Sequence, residues 1–313
     1  MKGLELSKRY YLEYGKPMLE GSFSDILPLI AVGLAGGGSE CLGFDDDIST
    51  DHDFEPAFCI FLPDEALIDR KTEFALERAY AKLPNEFLGF TRNPISPVGG
   101  NRHGVIRTSD FFLKTTGTSN GQLDIIDWLS IDEQALLEAT SGEIFFDGLG
   151  RFSEIRQSLS YLPEDVRLKK LSGHLLNMAQ SGQYNYGRCI SRHETAAAQL
   201  AIFDFVKSAM HVIFLLNKRY IPYYKWSFKA LGELPCLSHL HSSLEYLISS
   251  GNKPSDVEIK NKAIETVCSD ISDKLRKDGM TASIGNELET LAYEVNDRIC
   301  QEKIRNMHVL CAI

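Results

Sequence analysis

No two cysteines in this chain stand at the spacing of a zinc finger, a C-x-x-C redox pair or a disulfide framework. The seven present, at 41, 59, 189, 236, 268, 300 and 311, are scattered and odd in number, the pattern of ordinary reduced thiols. No apolar stretch of the signal-peptide kind opens the sequence, and the first apolar run, Ile26 to Ala35, is too short to cross a bilayer. The longest such run, Leu200 to Leu216, is interrupted by Asp204, Lys207 and His211. A buried helix is therefore expected there and not a membrane span, with those three residues along one helical face that could line a cleft. The expectation is a cytoplasmic protein with no membrane partner. Basic charge is also scarce: 33 Lys+Arg stand against 43 Asp+Glu, a net charge of -10. That balance disfavours a broad grip on a nucleic-acid backbone, so extended nucleic acid is not an expected partner.

Phosphate-binding signatures of the common kinds are missing as well. The glycine-rich stretch Ala35 to Glu40 has no Lys followed by Ser or Thr, which rules out a Walker A loop, and no G-x-G-x-x-G opens a helix with an acidic partner behind it. A calcium loop is imitated by the alternation of Asp45, Asp47, Ser49 and Asp51, but Thr50 stands where the obligatory glycine belongs and Pro56 where the bidentate glutamate belongs.

What is present divides into two textures. With 313 residues the chain can hold two modest domains. An opening helix around Tyr10 to Tyr14 precedes the apolar segment Ile26 to Leu34, an acidic loop and the apolar run Ala57 to Leu62, which reads as a buried strand closed by Pro63. Residues 64 to 83 read as helix, Asn93 to Gly104 as loop, and Val105 to Thr108 as a short strand before a helical FFLKT. From Asp127 onward, WLSIDEQALLEAT, EDVRLKKLSGHLLNMAQ and ETAAAQLAIFDFVKSAMHVIFLLN carry the three-to-four spacing of helices and strand signals almost vanish. The fold class expected is α+β: a small mixed-sheet domain over residues 1–126, then an all-helical domain over 127–313.

The informative string is GLAGGGSECLGFDDDISTDHDFEPAFCIFL. A glycine turn brings backbone N–H groups close to phosphate oxygens, and the hydroxyl of Ser39 beside Gly38 adds a donor. About a dozen residues later Asp51 and Asp53 stand two apart just ahead of the apolar strand. Side chains two apart on a strand share a face, so both carboxylates point at one site, which suits magnesium holding a triphosphate. Two ions so held activate an attacking oxygen and stabilise leaving pyrophosphate. His52 points the other way and carries no catalytic role. His174, His193 and His211 are too dispersed along the sequence for a metal site.

The hydrophobic-Gly-Ser turn, the gap and the Asp-x-Asp resemble the signature of the polymerase-beta nucleotidyltransferase superfamily. More narrowly, GSECLGFDDDISTDHD, DWLSIDEQALLEATSGEIFFDGLG, GQYNYGRCISRHE and FLLNKRYIPYYKW are similar to a family of nucleotidyltransferase-like domain-of-unknown-function proteins with a helical C-terminal half. The resemblance implies a nucleotidyltransferase domain closed by helices, with Gly38 and Ser39 on the β- and γ-phosphates and Asp51 and Asp53 as metal ligands. Arg188, Arg192, Lys225 and Tyr186 of the helical half would complete the nucleotide pocket. It implies two Mg2+ ions and an NTP substrate, with the nucleoside monophosphate passed to a small-molecule or protein acceptor. One departure stands out. The superfamily supplies a third carboxylate from a later strand, whereas Val105 to Thr108 reads V-I-R-T. Asp124 is the expected stand-in, with Asp110 and Glu194 behind it, although a D-x-x-D-W context also suits a helix-start cap. Two rival readings follow: a nucleotide-binding regulatory protein whose catalysis is impaired, and a stress or toxin–antitoxin component that modifies a protein partner.

Overall fold

Small and β-branched residues in the run Ala31–Ala35 (β1) make it the centre of a sheet, buried at every position. The computed structural model of the protein describes residues 1–46, 54–92 and 102–313. The chain divides into two units, one formed by Met1–Leu123 with Gln134–Ser160, the other by Asp124–Glu133 with Tyr161–Ile313. Helix makes up 62% of it, beside a small mixed sheet, so the α+β class is as expected.

The first unit opens with α1 (Gly3–Tyr10), which runs through a π-helical turn at Tyr11–Gly15 into α2 (Lys16–Ser22). After β1 come α3 (Ser39–Leu42), β2 (Cys59–Leu62), α4 (Arg70–Ala81), a small hairpin of β3 (Glu86–Phe87) and β4 (Phe90–Thr91), β5 (Gly104–Arg107) and α5 (Thr108–Thr116). The chain passes through α6 (Ile125–Ser130) in the second unit and returns along α7 (Glu133–Thr140) to β6 (Gly142–Asp147) and α8 (Arg151–Ser158). The sheet order is β5-β2-β1-β6. β1 is antiparallel to β2 and to β6, and β2 is parallel to β5.

Alternation along the strands sorts the two faces. Val32, Ile60 and Leu62 join Leu6, Tyr10, Leu76 and Tyr80 in one core, where the Tyr80 hydroxyl donates to Phe58 O and accepts from Phe58 N. On the other face Phe61 stacks on Phe152 at 4.1 Å between ring centroids, with Phe111 and Phe112 beside them.

The strand β6 was not foreseen. The three consecutive apolar residues Ile144, Phe145 and Phe146 show no alternation, and the block that contains them lies in the stretch expected to be helical. The expected boundary after residue 126 falls near the first crossing at Leu123, but 134–160 belong with the sheet because β6 pairs with β1 from Ala35↔Gly142 to Ala31↔Asp147. The register shifts between Val32 and Gly33, where a side chain would strike Glu143 O at 2.5 Å. Gly142 is tighter still: its φ is +83° and a Cβ would overlap Leu34 O. Gly142→Ala is expected to lower unfolding free energy by about 3 kcal/mol, the sum of overpacking and a left-handed backbone, read as a fall in the urea midpoint by circular dichroism.

In the second unit α9 (Glu164–Met178) is buried on all sides and is followed by a π-helical stretch Ala179–Tyr186, α10 (Gly187–Ser191), α11 (Thr195–Leu216), α12 (Tyr224–Gly232), α13 (His241–Ser249), α14 (Pro254–Lys277), α15 (Leu288–Asp297) and α16 (Glu302–Arg305). The charges of α9 are tied down rather than solvated, as burial requires. Lys169 Nζ donates to Asn296 Oδ1 and Met307 O, and the Asp165 carboxylate accepts from Cys300 N and Gln301 N. The apolar helix α11 is long enough to cross a membrane by length and composition, but 61% of its most apolar window is buried inside the protein. Asp204 and Lys207 face outward; His211, on the same stripe, turns partly inward.

Candidate functional site at one end of the sheet

Strand direction brings four chain segments together. β1 ends at Ala35 next to the start of β6 at Gly142, while Cys59, the start of β2, pairs with both Gly33 and Gly104, the start of β5. The turn after β1, the approaches to β2 and β5 and the end of α7 therefore all emerge at the same end.

The turn is built from glycines for a steric reason. Gly36 has φ +132°, a Cβ on Gly37 would meet the Glu138 carboxylate at 2.6 Å, and one on Gly38 would overlap Arg102 Nη2 and Glu40 Oε1. Gly38 is the N-cap of α3 and Ser39 its first residue. Among the described residues nothing hydrogen-bonds the Ser39 hydroxyl. Arg102 Nη2 pairs with Glu40 Oε1 at 2.7 Å, so a guanidinium lies against the turn. Cys59 Sγ donates to Arg102 O, and burial pushes its thiol up to about 12, which keeps it protonated and unreactive.

Next to Arg102, His103 Nδ1 is 2.8 Å from Glu55 Oε1, with both side chains largely buried. A carboxylate accepts, so Nδ1 carries a hydrogen, and in the neutral ring Nε2 has the lone pair. Sequence reading passed over Glu55, Arg102 and His103; their signal was position alone, since each lies within four residues of a strand that starts at this end.

Asp51 and Asp53 lie outside the described residues, as do Asp47, Ser49 and His52. The ends that flank them are held. Asp45 accepts from Gly3 N at 2.7 Å and pairs with Lys2, which ties it to the start of α1. Phe54, which adjoins Asp53, packs at a tilt against Phe90 at 4.9 Å between ring centroids and lies close to Gly3. Among the described residues no three His, Cys, Asp or Glu side chains are grouped to hold a metal ion.

The remaining expected residues, apart from Asp110, are in the second unit. Asp124 caps α6, accepting from Ile126 N and Asp127 N, while Asp127 accepts from Asp124 N. This is the helix-start role that its D-x-x-D-W context also suits. Tyr186, expected in a nucleotide pocket, is fully buried with its hydroxyl on Asn252 Oδ1. Arg188 stacks on Tyr184, exposed Arg192 ends α10, and Lys225 lies over Trp226 at 5.1 Å. Asp110 is exposed in the first turn of α5, at the far end of β5, and Glu194 precedes α11 without capping it.

Two histidines that spacing kept apart do meet. His174 of α9 and His211 of α11 stack at 4.4 Å and 5°, with His211 Nδ1 3.5 Å from the buried Glu133 carboxylate. Burial, aided by His211 and two lysines, holds His174 well below the usual histidine range.

Comparison with known proteins adds one finding. Residues 128–227 match the family described as Domain of unknown function (DUF4037). The DUF4037 match covers about a third of the chain and fits the similarity to a domain-of-unknown-function family. It runs from α6 to α12 and so takes in β6 and α8 of the first unit as well as the stacked histidines, but not the glycine turn. No curated protein matches the chain.

Proposed function

We propose that the protein is a magnesium-dependent nucleotidyltransferase that passes a nucleoside monophosphate from an NTP to a hydroxyl of a small molecule or protein. The observation that supports this most is the antiparallel pairing of β1 with β2, because it brings the glycine turn and the approach from Asp53 to one end of the sheet. The glycines keep side chains off the backbone of the turn, beside which Arg102 pairs with Glu40, and the oxygen donors of Asp51 and Asp53 suit a hard cation. Gly38 N–H and the Ser39 hydroxyl bind the β- and γ-phosphates in this reading, and Arg102 offsets their charge. Asp51 and Asp53 would hold magnesium, which would supply charge neutralisation at the transferring and leaving phosphates. The acceptor oxygen forms a bond to the α-phosphorus as the bond to pyrophosphate breaks, and His103 Nε2, with Glu55 orienting the ring, takes the acceptor proton.

β5 offers no acid between Gly104 and Arg107, and Arg107 is paired with Glu73. That favours a second reading, nucleotide binding without turnover, in which His103 is only a structural partner of Glu55. His103→Gln separates the two. As a general base its loss slows pyrophosphate release about 100-fold or more while NTP affinity stays within about 3-fold; an unchanged rate removes His103 from the chemistry. The primary test is calorimetric titration of each NTP with and without magnesium, beside a pyrophosphate-release assay on the same preparation. Binding without release selects the second reading, and no binding of any NTP ends both.

A further inference from the structure

The glycine turn already carries an anion of its own. Glu40, the second residue of α3, folds its side chain back over Gly38, where a Cβ would overlap its carboxylate. The stem of Glu40 packs on α1: a Cβ on Gly3 would meet Glu40 Cβ at 2.7 Å. The carboxylate is thereby held against the turn, and the side chain is only 12% exposed. A second acid lies alongside, since a Cβ on Gly37 would meet Glu138 Oε1 at 2.6 Å, and that oxygen accepts from Gln134 Nε2 at 3.1 Å.

Arg102 completes the arrangement. Its Nη2 meets Glu40 Oε1 at 2.7 Å, and the same Cβ on Gly38 would overlap that nitrogen too. A cation and an anion thus share the space over one glycine. A carboxylate and a phosphate make the same demand on a guanidinium, two oxygens facing its planar fork. Both cannot hold it at once without bringing two negative charges together, which Coulomb repulsion opposes most where water is partly excluded.

We propose that Glu40 is an internal competitor for the phosphates of the nucleotide: the free protein rests with Arg102 on Glu40, and binding requires Arg102 to exchange that carboxylate for a phosphate. The inference rests on the nucleotidyltransferase reading, because it takes the turn to be a phosphate site. Affinity is then set by the difference between two anions for one arginine. A pair that only fastened the approach to β5 onto α3 would give Glu40 no such effect on binding.

The test is calorimetric titration of the full-length protein with each NTP and with inorganic tripolyphosphate, in the presence and absence of magnesium. Glu40→Gln keeps the shape of the side chain and removes its charge, and it is expected to tighten binding about 10-fold. Arg102→Gln is expected to weaken binding at least about 10-fold. Glu258→Gln, which takes the same charge from the exposed pair with Lys262 on α14, is expected to stay within about 2-fold of the wild type and controls for net charge. Binding by Glu40→Gln where the wild type shows none is the expected result in its extreme form. Equal or weaker binding by Glu40→Gln than by a wild type that does bind overturns the proposal and leaves the nucleotide reading standing, as does equal tightening in Glu258→Gln. Absence of binding in both the wild type and Glu40→Gln removes the turn as a phosphate site and ends both readings together.

Discussion

Asp51→Asn combined with Asp53→Asn is expected to abolish magnesium-dependent NTP binding. A carboxylate on a metal contributes at least as much as a hydrogen bond to a charged group, about 1.5–3 kcal/mol. Losing two therefore costs roughly 3–6 kcal/mol, two to four orders of magnitude in Kd. Asparagine keeps the shape and one oxygen, so folding is expected to be unaffected, and an unchanged thermal midpoint without ligand is the control. Whatever magnesium-independent affinity the glycine turn and Arg102 give survives in the variant. If magnesium enhances NTP binding equally in wild type and variant, the two aspartates do not hold the metal and the proposed site is wrong.

Acidification is expected to destabilise the second unit. His174 is buried against His211, with Lys170 and Lys207 near enough to oppose its charge, and its folded-state pKa lies well below that of the unfolded chain. Above about pH 6.5 the ring is neutral in both states and contributes no pH dependence. Below it the unfolded chain takes up a proton that the folded one refuses. Stability therefore falls by up to about 1.4 kcal/mol per pH unit until the folded group titrates. Both tryptophans, Trp128 and Trp226, belong to the second unit, so urea unfolding followed by tryptophan fluorescence between pH 8 and 5 reports on it directly. His174→Phe keeps a ring in the stack and removes the titrating nitrogens. Its stability curve should be flatter by that slope, and an identical slope in the variant would locate the acid sensitivity elsewhere.

The parts of the fold that were legible in the sequence are those whose pattern is local. Ala57 to Leu62 is a continuous apolar run ended by a proline, and the strand forms there, at Cys59–Leu62. The helical spacing of EDVRLKK and ETAAAQLAIFDF gives α9 and α11. β6 escaped because Ile144, Phe145 and Phe146 are apolar without alternation, and what makes them a strand is the edge of β1, more than a hundred residues earlier in the chain. The site divides in the same way. The glycine turn could be read because its chemistry sits in consecutive residues. Glu55 and His103 are 48 apart, and only the parallel register of β2 and β5 brings their approaches together. The surroundings of Tyr186 could not be read, because a tyrosine in a polar-looking block has the same letters whether it faces a ligand or, as here, donates to the side chain of Asn252.

The path of the chain between the two units has a consequence for heredity. The backbone leaves the first unit after Leu123, rejoins it at Gln134 and leaves again after Ser160. A gene cut once within the segment for 124–157 would encode an amino-terminal piece lacking all or part of the β6–α8 return, and a cut ahead of 142 would leave the β1 edge of the sheet bare and open to pairing with other chains. Single-crossover recombination therefore cannot trade one unit for a relative's without breaking the other, and the two are expected to have been inherited as one block.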